Sequence, residues 1–191
     1  MLDKKTYEDS LREMTSIGGG HAATKLSQMI NKKVSIQVPR AWFGRMDENF
    51  FQGEKKVIAV SNNFGVIKRG LIVQMISQPT LTNLLRLFLG QEIKEFGEIE
   101  RSALLELSNI LAGGMVSAVA DLIGEIMSME VPRIQIDLPL SVIKGAVEMQ
   151  REILGWTYFS TVNIYPEGER ISIVLSLFPF FDLVKDMWKL R

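Results

Sequence analysis

Apolar residues recur at helical spacing over residues 4–30 and again over 97–127, with Gly97 just before the second run and Gly124 near its end. That pattern predicts two long helices. After each, the period changes from helical to alternating. Val34, Ile36 and Val38 are separated by polar residues, as are Ile134, Ile136 and Leu138, so a half-buried strand ending near a proline should follow each long helix. Val57–Ser61 and Ile67–Ile76 then flank the turn-like NNFG, and Thr157–Tyr165 and Ile171–Leu177 flank PEGE, which predicts one hairpin in each half of the chain. A short helix should follow each hairpin, near Thr80–Leu89 and Phe181–Leu190.

The two halves share more than element order. Asp9, Glu13, Ser16 and Pro39 spell D-x3-E-x2-S-x22-P, and Ser102, Glu106, Asn109 and Pro132 spell S-x3-E-x2-N-x22-P at an offset of 93 residues. LIVQMISQPTLTNLLRLFL from Leu71 matches ISIVLSLFPFFDLVKDMWK from Ile171 at an offset of 100, so seven extra residues fall between Pro132 and Ile171, where the second half carries LSVIKGAVEMQREILG. The expectation is an α+β unit present twice, about 1–92 and 93–191, joined as one domain over 1–191 through a continuous sheet with pseudo-twofold symmetry.

Composition narrows the function classes. The chain has 191 residues, 47% of them apolar, and 22 Lys plus Arg balance 22 Asp plus Glu, so no positive field gathers nucleic acid or an anionic membrane. No cysteine is present, which removes disulfides, thiolate catalysis and cysteine-ligated zinc, and fits a reducing compartment. The N-terminal MLDKKTYEDSLREM has no apolar signal region, and the run Ile171–Phe181, broken by serines and a proline, is shorter than the roughly 20 residues a spanning helix needs. A cytoplasmic protein without membrane insertion is the expectation.

Candidate chemistry sits on the second long helix. Ser102, Glu106, Asn109 and Gly113 follow one another at four, three and four residues, which places them in one stripe among apolar positions. A carboxylate and a carboxamide, about 5–6 Å apart between Cβ atoms, would therefore project together from a rigid element. A surface helix needs some polar face, but the full spacing through Pro132 has a chance of roughly a few in a thousand of arising by accident in a chain of this size.

With its near-copy in the other half, D/S-x3-E-x2-N-x22-P resembles the signature of the CheC, CheX and FliY phosphatase family, most nearly its CheC branch. LREMTSIGGGHAATKLSQMI in the first half is also similar to that family's E-x-x-N-x-GAGHAATAL segment. The resemblance implies a pseudo-twofold fold with two long helices on a continuous antiparallel sheet. It also implies hydrolysis of the aspartyl-phosphate of a CheY-like response regulator. Glu106 would engage the regulator's lysine and Asn109 would orient the attacking water, with Ser102 and Pro132 in support. The magnesium would belong to the regulator, so no cofactor of the chain's own is implied.

Physical chemistry favours the same division of labour. An acyl phosphate is already activated, so hydrolysis needs placement of water more than a strong base. A carboxamide donates and accepts hydrogen bonds and stays neutral at any physiological pH. The first block keeps Asp9, Glu13 and Pro39 but has Ser16 where the family has asparagine. A serine reaches less far, so one working site is expected, in the second half, with a degenerate first site. Two other roles come with the resemblance: a binding module like the flagellar switch protein FliM, whose middle domain lacks the Glu and Asn, and association with the receptor deamidase CheD. No residue in the sequence identifies a CheD contact.

Three further features have ordinary explanations. Gly18, Gly19 and Gly20 are not part of a G-x4-G-K-[ST] phosphate loop and are better read as close helix packing. His21, the single histidine, has no companion ligands and is expected to pack or cap, and the ten methionines fill core gaps. Trp42, Phe43, Phe50 and Phe51 are expected at a corner between strands.

Overall fold

The computed structural model describes residues 4–37, 39–44, 54–65, 70–149, 157–180 and 183. Helix α1 (Lys4–Ile30) leads into two short strands, β1 (Val34–Ile36) and β2 (Arg40–Gly44), and then into the hairpin β3 (Val57–Phe64) and β4 (Gly70–Ile76). Helix α2 (Gln78–Leu89) closes the first half. The second half runs α3 (Glu98–Ile123), β5 (Arg133–Asp137), α4 (Pro139–Met149), β6 (Thr157–Pro166) and β7 (Ile173–Pro179).

The seven strands form one antiparallel sheet in the order β1-β6-β7-β4-β3-β5, with β2 continuing β1 along the edge of β6. This order reads the same from either end once first-half strands are exchanged for their second-half counterparts, so the pseudo-twofold passes between β4 and β7. Each half also lends its first strand to the other: β1 and β2 pair with β6, and β5 pairs with β3. Neither half contains a complete sheet of its own.

Alternation along the strands sorts the core onto two faces. Ile72, Ile76, Val60 and Leu175 face α1, α2 and α3, whereas Leu71, Val73, Phe159 and Phe178 face α4 through Val142, Ile143 and Ala146. Helix α4 lies in the segment expected only as an insertion. Helix α3 is long and apolar enough to cross a membrane, with a window of mean hydropathy 1.5, but 61% of that window is buried inside the protein. It is a core helix.

Helices α1 and α3 run in opposite directions across one another at two glycines. A Cβ on Gly18 would stand 2.9 Å from Met115 Cα, and one on Gly114 would stand 2.6 Å from the backbone nitrogen of Ala22. Backbone meets backbone there, as the close-packing expectation required at Gly18, whereas Gly19 faces Val162 of β6 and Gly20 has no heavy atom within 4 Å of an added Cβ. His21 contributes its main chain to this crossing, but its side chain is exposed in mid-helix and neither packs in the core nor caps an end.

Other elements differ from expectation for local reasons. Trp42 and Phe43 lie within β2, in register with Phe159 and Tyr158, because the chain after Pro39 resumes pairing with β6 instead of turning a corner. Phe50 and Phe51, like Val38, Ile67 and the expected helix near Phe181–Leu190 apart from Leu183, lie outside the described residues. Asn62 and Asn63 continue β3, and the turn starts at Gly65, whose φ of 98° suits glycine.

Surface ion pairs link the borrowed strand to the β6–β7 turn. Glu167 and Glu169, in the β6–β7 turn, reach Lys33 at 2.9 Å and Lys32 at 2.9 Å respectively, and Ser35 Oγ donates to Glu167 at 2.8 Å. The hydrogen bond from Lys33, then that from Ser35, holds the Glu167 carboxyl below its ordinary value. A depressed folded-state value means the clamp is complete at neutral pH and weakens as pH falls through that value.

Two predictions follow from the crossing and the clamp. Gly114→Ala should lower stability in urea unfolding by about 1–3 kcal/mol, whereas Gly20→Ala, with no heavy atom within 4 Å of its added Cβ, should be neutral or raise it by up to about 1 kcal/mol. In an NMR titration, the Glu167 midpoint should lie below that of an unstructured glutamate, and Lys33→Met should raise it. A midpoint insensitive to Lys33→Met would remove the clamp.

Candidate functional site

Helix α3 begins cleanly because Gly97 adopts an extended conformation and donates its N–H to Glu100 Oε2 at 3.0 Å, while Glu98 and Glu100 stand at the positive end of the dipole. It stops at Gly124 in the left-handed conformation. Between these caps Leu104, Leu107, Leu111, Met115 and Val119 are fully buried. By helical geometry, Ser102, Glu106, Asn109 and Gly113 fall on the opposite side. Ser102, Glu106 and Asn109 are exposed, and Gly113 is half-buried.

The expected stripe is therefore presented outward on a helix whose other face is locked in the core. Among the described residues no hydrogen-bond partner engages the side chains of Glu106 or Asn109. Rigidity comes partly from behind: Gln74 of β4, fully buried, donates to the backbone carbonyl of Ser108 at 2.6 Å, one residue before Asn109. In the first half, Thr15 and Ser160 form a buried hydroxyl pair one residue before Ser16. Sequence reasoning passed over both anchors. The signal for Gln74 was present, since a lone amide inside LIVQMI must find a partner when it is buried.

Pro132 is half-buried and follows a segment tied to β3. Gly65 N–H donates to Ser128 O at 2.8 Å, Glu130 N–H to Asn63 O at 2.9 Å, and Asn63 Nδ2 to Glu130 Oε2 at 2.8 Å. These bonds explain why NNF belongs to the strand. Met129 from this segment brings its Cε to 3.5 Å from where a Cβ on Gly113 would stand, so the 128–132 segment reaches the end of the stripe.

The first-half motif converges as well. Asp9, Glu13, Ser16 and Pro39, joined by Arg12 and Ile36, line an open groove of about 370 Å³ on the outer side of α1. Asp9, Glu13 and Ser16 are exposed and Pro39 is buried. Arg12 Nη1 meets Asp9 Oδ1 at 2.9 Å, an exposed pair of little energetic weight that nevertheless puts a cation inside the groove. The corresponding position on α3 is Leu105. Thr24 Oγ1 donates to Gly20 O, as Ser117 Oγ does to Gly113 O in the other half, so the helices agree in local detail beyond the motif.

A second cavity, about 380 Å³, lies between α2, β5 and residues 93–96 and includes Leu81, Leu85, Phe96 and Ile136 but no motif residue. Among the described residues no three His, Cys, Asp or Glu side chains gather as a metal site.

The residues around both stripes are those that the CheC-like family pattern matches, 8–41 and 99–136. A curated relative, the CheY-P phosphatase CheC of Bacillus subtilis, is 33% identical over 159 residues, covering 78% of this chain and 75% of that protein. The chain belongs to the CheC-like family. Its fold is shared by the crystal structure of Thermotoga maritima FliY, with a TM-score of 0.75 and 22% identity over 100% of this chain and 98% of that chain. The FliM middle domain of H. pylori is similar too, with a TM-score of 0.63 and 12% identity over 100% of both chains. One fold thus serves proteins with different names, and the side chains on the stripes have to distinguish them.

Proposed function

We propose that this CheC-like protein is a cytoplasmic phosphatase that hydrolyses the aspartyl-phosphate of a CheY-like receiver domain in chemotaxis signalling. The observation that carries the proposal is the Glu106 and Asn109 pair, one helical turn apart, outward-facing and unengaged on a helix anchored in the core. Kinship with a relative named for action on CheY-P supports the substrate class.

In the proposed reaction, α3 docks on the receiver's phosphorylation site. Glu106 meets a receiver lysine and fixes the approach, since a charge pair at an interface orients its partners. The Asn109 carboxamide accepts a hydrogen bond from one water and holds its oxygen in line with the aspartyl–phosphate bond. Water attacks phosphorus, the P–O bond to the aspartyl carboxylate breaks, and inorganic phosphate and free aspartate result. Magnesium held by the receiver would supply charge neutralisation at the phosphoryl oxygens. Ser102 and Pro132 support the docked helix and the adjoining segment.

The first-half site is read as lapsed. Asp9, Glu13 and Pro39 keep their places in the groove, but Ser16 ends one bond beyond Cβ and cannot put a donor and an acceptor where a carboxamide does. The rival role, binding without turnover, has the FliM likeness in its favour. The carboxylate–carboxamide pair argues against it.

Purified protein should accelerate phosphate loss from a phosphorylated CheY receiver, and Asn109→Ala should reduce the acceleration by about 10²–10³-fold, the usual loss for one placed polar group. An undiminished rate in that variant would sink the role given to Asn109, and binding without turnover by the wild type would favour the rival. Introduced into Asn109→Ala, Ser16→Asn should restore measurable turnover. Failure to restore any would show that more than the carboxamide has been lost from the first half.

A further inference from the structure

Ile99 stands on the same stripe as the polar pair, three residues before Ser102 and seven before Glu106, and is 65% exposed. Single exposed apolar residues are common on any protein. This one has a companion. Val131, directly before Pro132, is 84% exposed, and the segment carrying it reaches the stripe through Met129 at Gly113. In the first half, Pro39 lines one groove with Asp9, Glu13 and Ser16. The pseudo-twofold therefore puts Pro132 beside Glu106 and Asn109, with Val131 adjoining it in the chain.

The duplication supplies an internal control. The position matching Ile99 is Thr6, and the position matching half-buried Leu105 is Arg12. At these two positions the second half has apolar side chains, with Lys25 Nζ farther along the stripe at Gly113, whereas the first half has a hydroxyl and a guanidinium beside Ile36 and Pro39. The two stripes differ in their surroundings as well as at Asn109 and Ser16.

We infer that Ile99, with Val131, is a docking residue that sets affinity for the phosphorylated receiver at the second-half site. The inference rests on the phosphatase reading and adds a partner-selecting role to it. Covering Ile99 and Val131 with the receiver removes apolar surface from water and dries the rim around the acyl phosphate. Both effects act on binding. Neither side chain has a polar atom with which to touch water or phosphorus, so turnover of the bound receiver should depend on them little.

The test uses the full chain with CheY of Bacillus subtilis, loaded with beryllofluoride for binding and phosphorylated for turnover. Ile99→Thr, which installs the first-half residue, should weaken Kd by about five- to tenfold, the loss expected when a large part of one aliphatic burial disappears. KM should rise in step, with kcat within about twofold of wild type. Ile99→Leu should bring Kd back to near the wild-type value, and Asn109→Ala should show the reverse pattern, a lost kcat at an unchanged Kd. Unchanged Kd and KM in Ile99→Thr, or a lower kcat alone, would overturn the inference. If Ile99→Thr weakens binding while Asn109→Ala keeps full turnover, the docking role stands and the role given to Asn109 falls.

Discussion

The closeness of α1 and α3 is the constraint on which the rest of the structure depends. With Gly18 against Met115 Cα and Gly114 against the backbone of Ala22, the two helices meet at a separation that no side chain at those positions would permit. Because each helix turns its apolar face to the other and to the sheet, its polar stripe is forced outward. The orientation of Glu106 and Asn109 is thus fixed by packing on the far side of α3. The Gln74 bond to the Ser108 carbonyl adds a polar pin at the same level.

Exchange of first strands between the halves makes this arrangement cooperative. β5 completes the first-half hairpin and β1 with β2 completes the second, and the β6–β7 turn grips Lys32 and Lys33 through Glu169 and Glu167. A duplicated fold built this way cannot discard one half, whatever happens to its chemistry. That explains how Ser16 can occupy a motif position while Asp9, Glu13 and Pro39 still line a groove. Structural need preserves the helix and the proline, and it places no demand on the side chain at position 16, which faces solvent.

Much of this was legible from local pattern. The two long helices, the hairpins, the duplication and the stripe at Ser102, Glu106 and Asn109 all follow from spacings that a single element displays. What could not be read depended on distant partners. Nothing near Val34 says that its strand pairs with β6 of the other half, since register is settled only when the sheet closes. Trp42 looked like a corner residue because Pro39 breaks the alternation, yet β6 is long enough to pair on both sides of the break. Asn62 and Asn63 looked like a turn until the partner of Asn63, Glu130, was in place. The segment of α4 has no counterpart in the first half to mark it as an element, and only the uncovered face of the sheet, where Phe159 and Phe178 stack on each other, gives the helix somewhere to go.

The contrast between the two stripes bears on why a family motif alone is a weak guide to activity. Both halves present a carboxylate at the same helical position, both keep the proline, and both sit on equally well-anchored helices. If the backbone were the whole device, the halves would be equivalent. They differ in the group that would hold water, a carboxamide against a hydroxyl, and in the frame around it, Ile99 and Leu105 against Thr6 and Arg12. An acyl phosphate hydrolysed by a single placed water needs that water held in line and its competitors kept out. A carboxamide can hold the water in line, whereas a short hydroxyl leaves its position undetermined, and the apolar side chains beside the carboxamide bear on docking. Under the proposed function, the asymmetry between the halves would reside in a few side chains on one turn of each helix, carried by a scaffold whose strand order is symmetric.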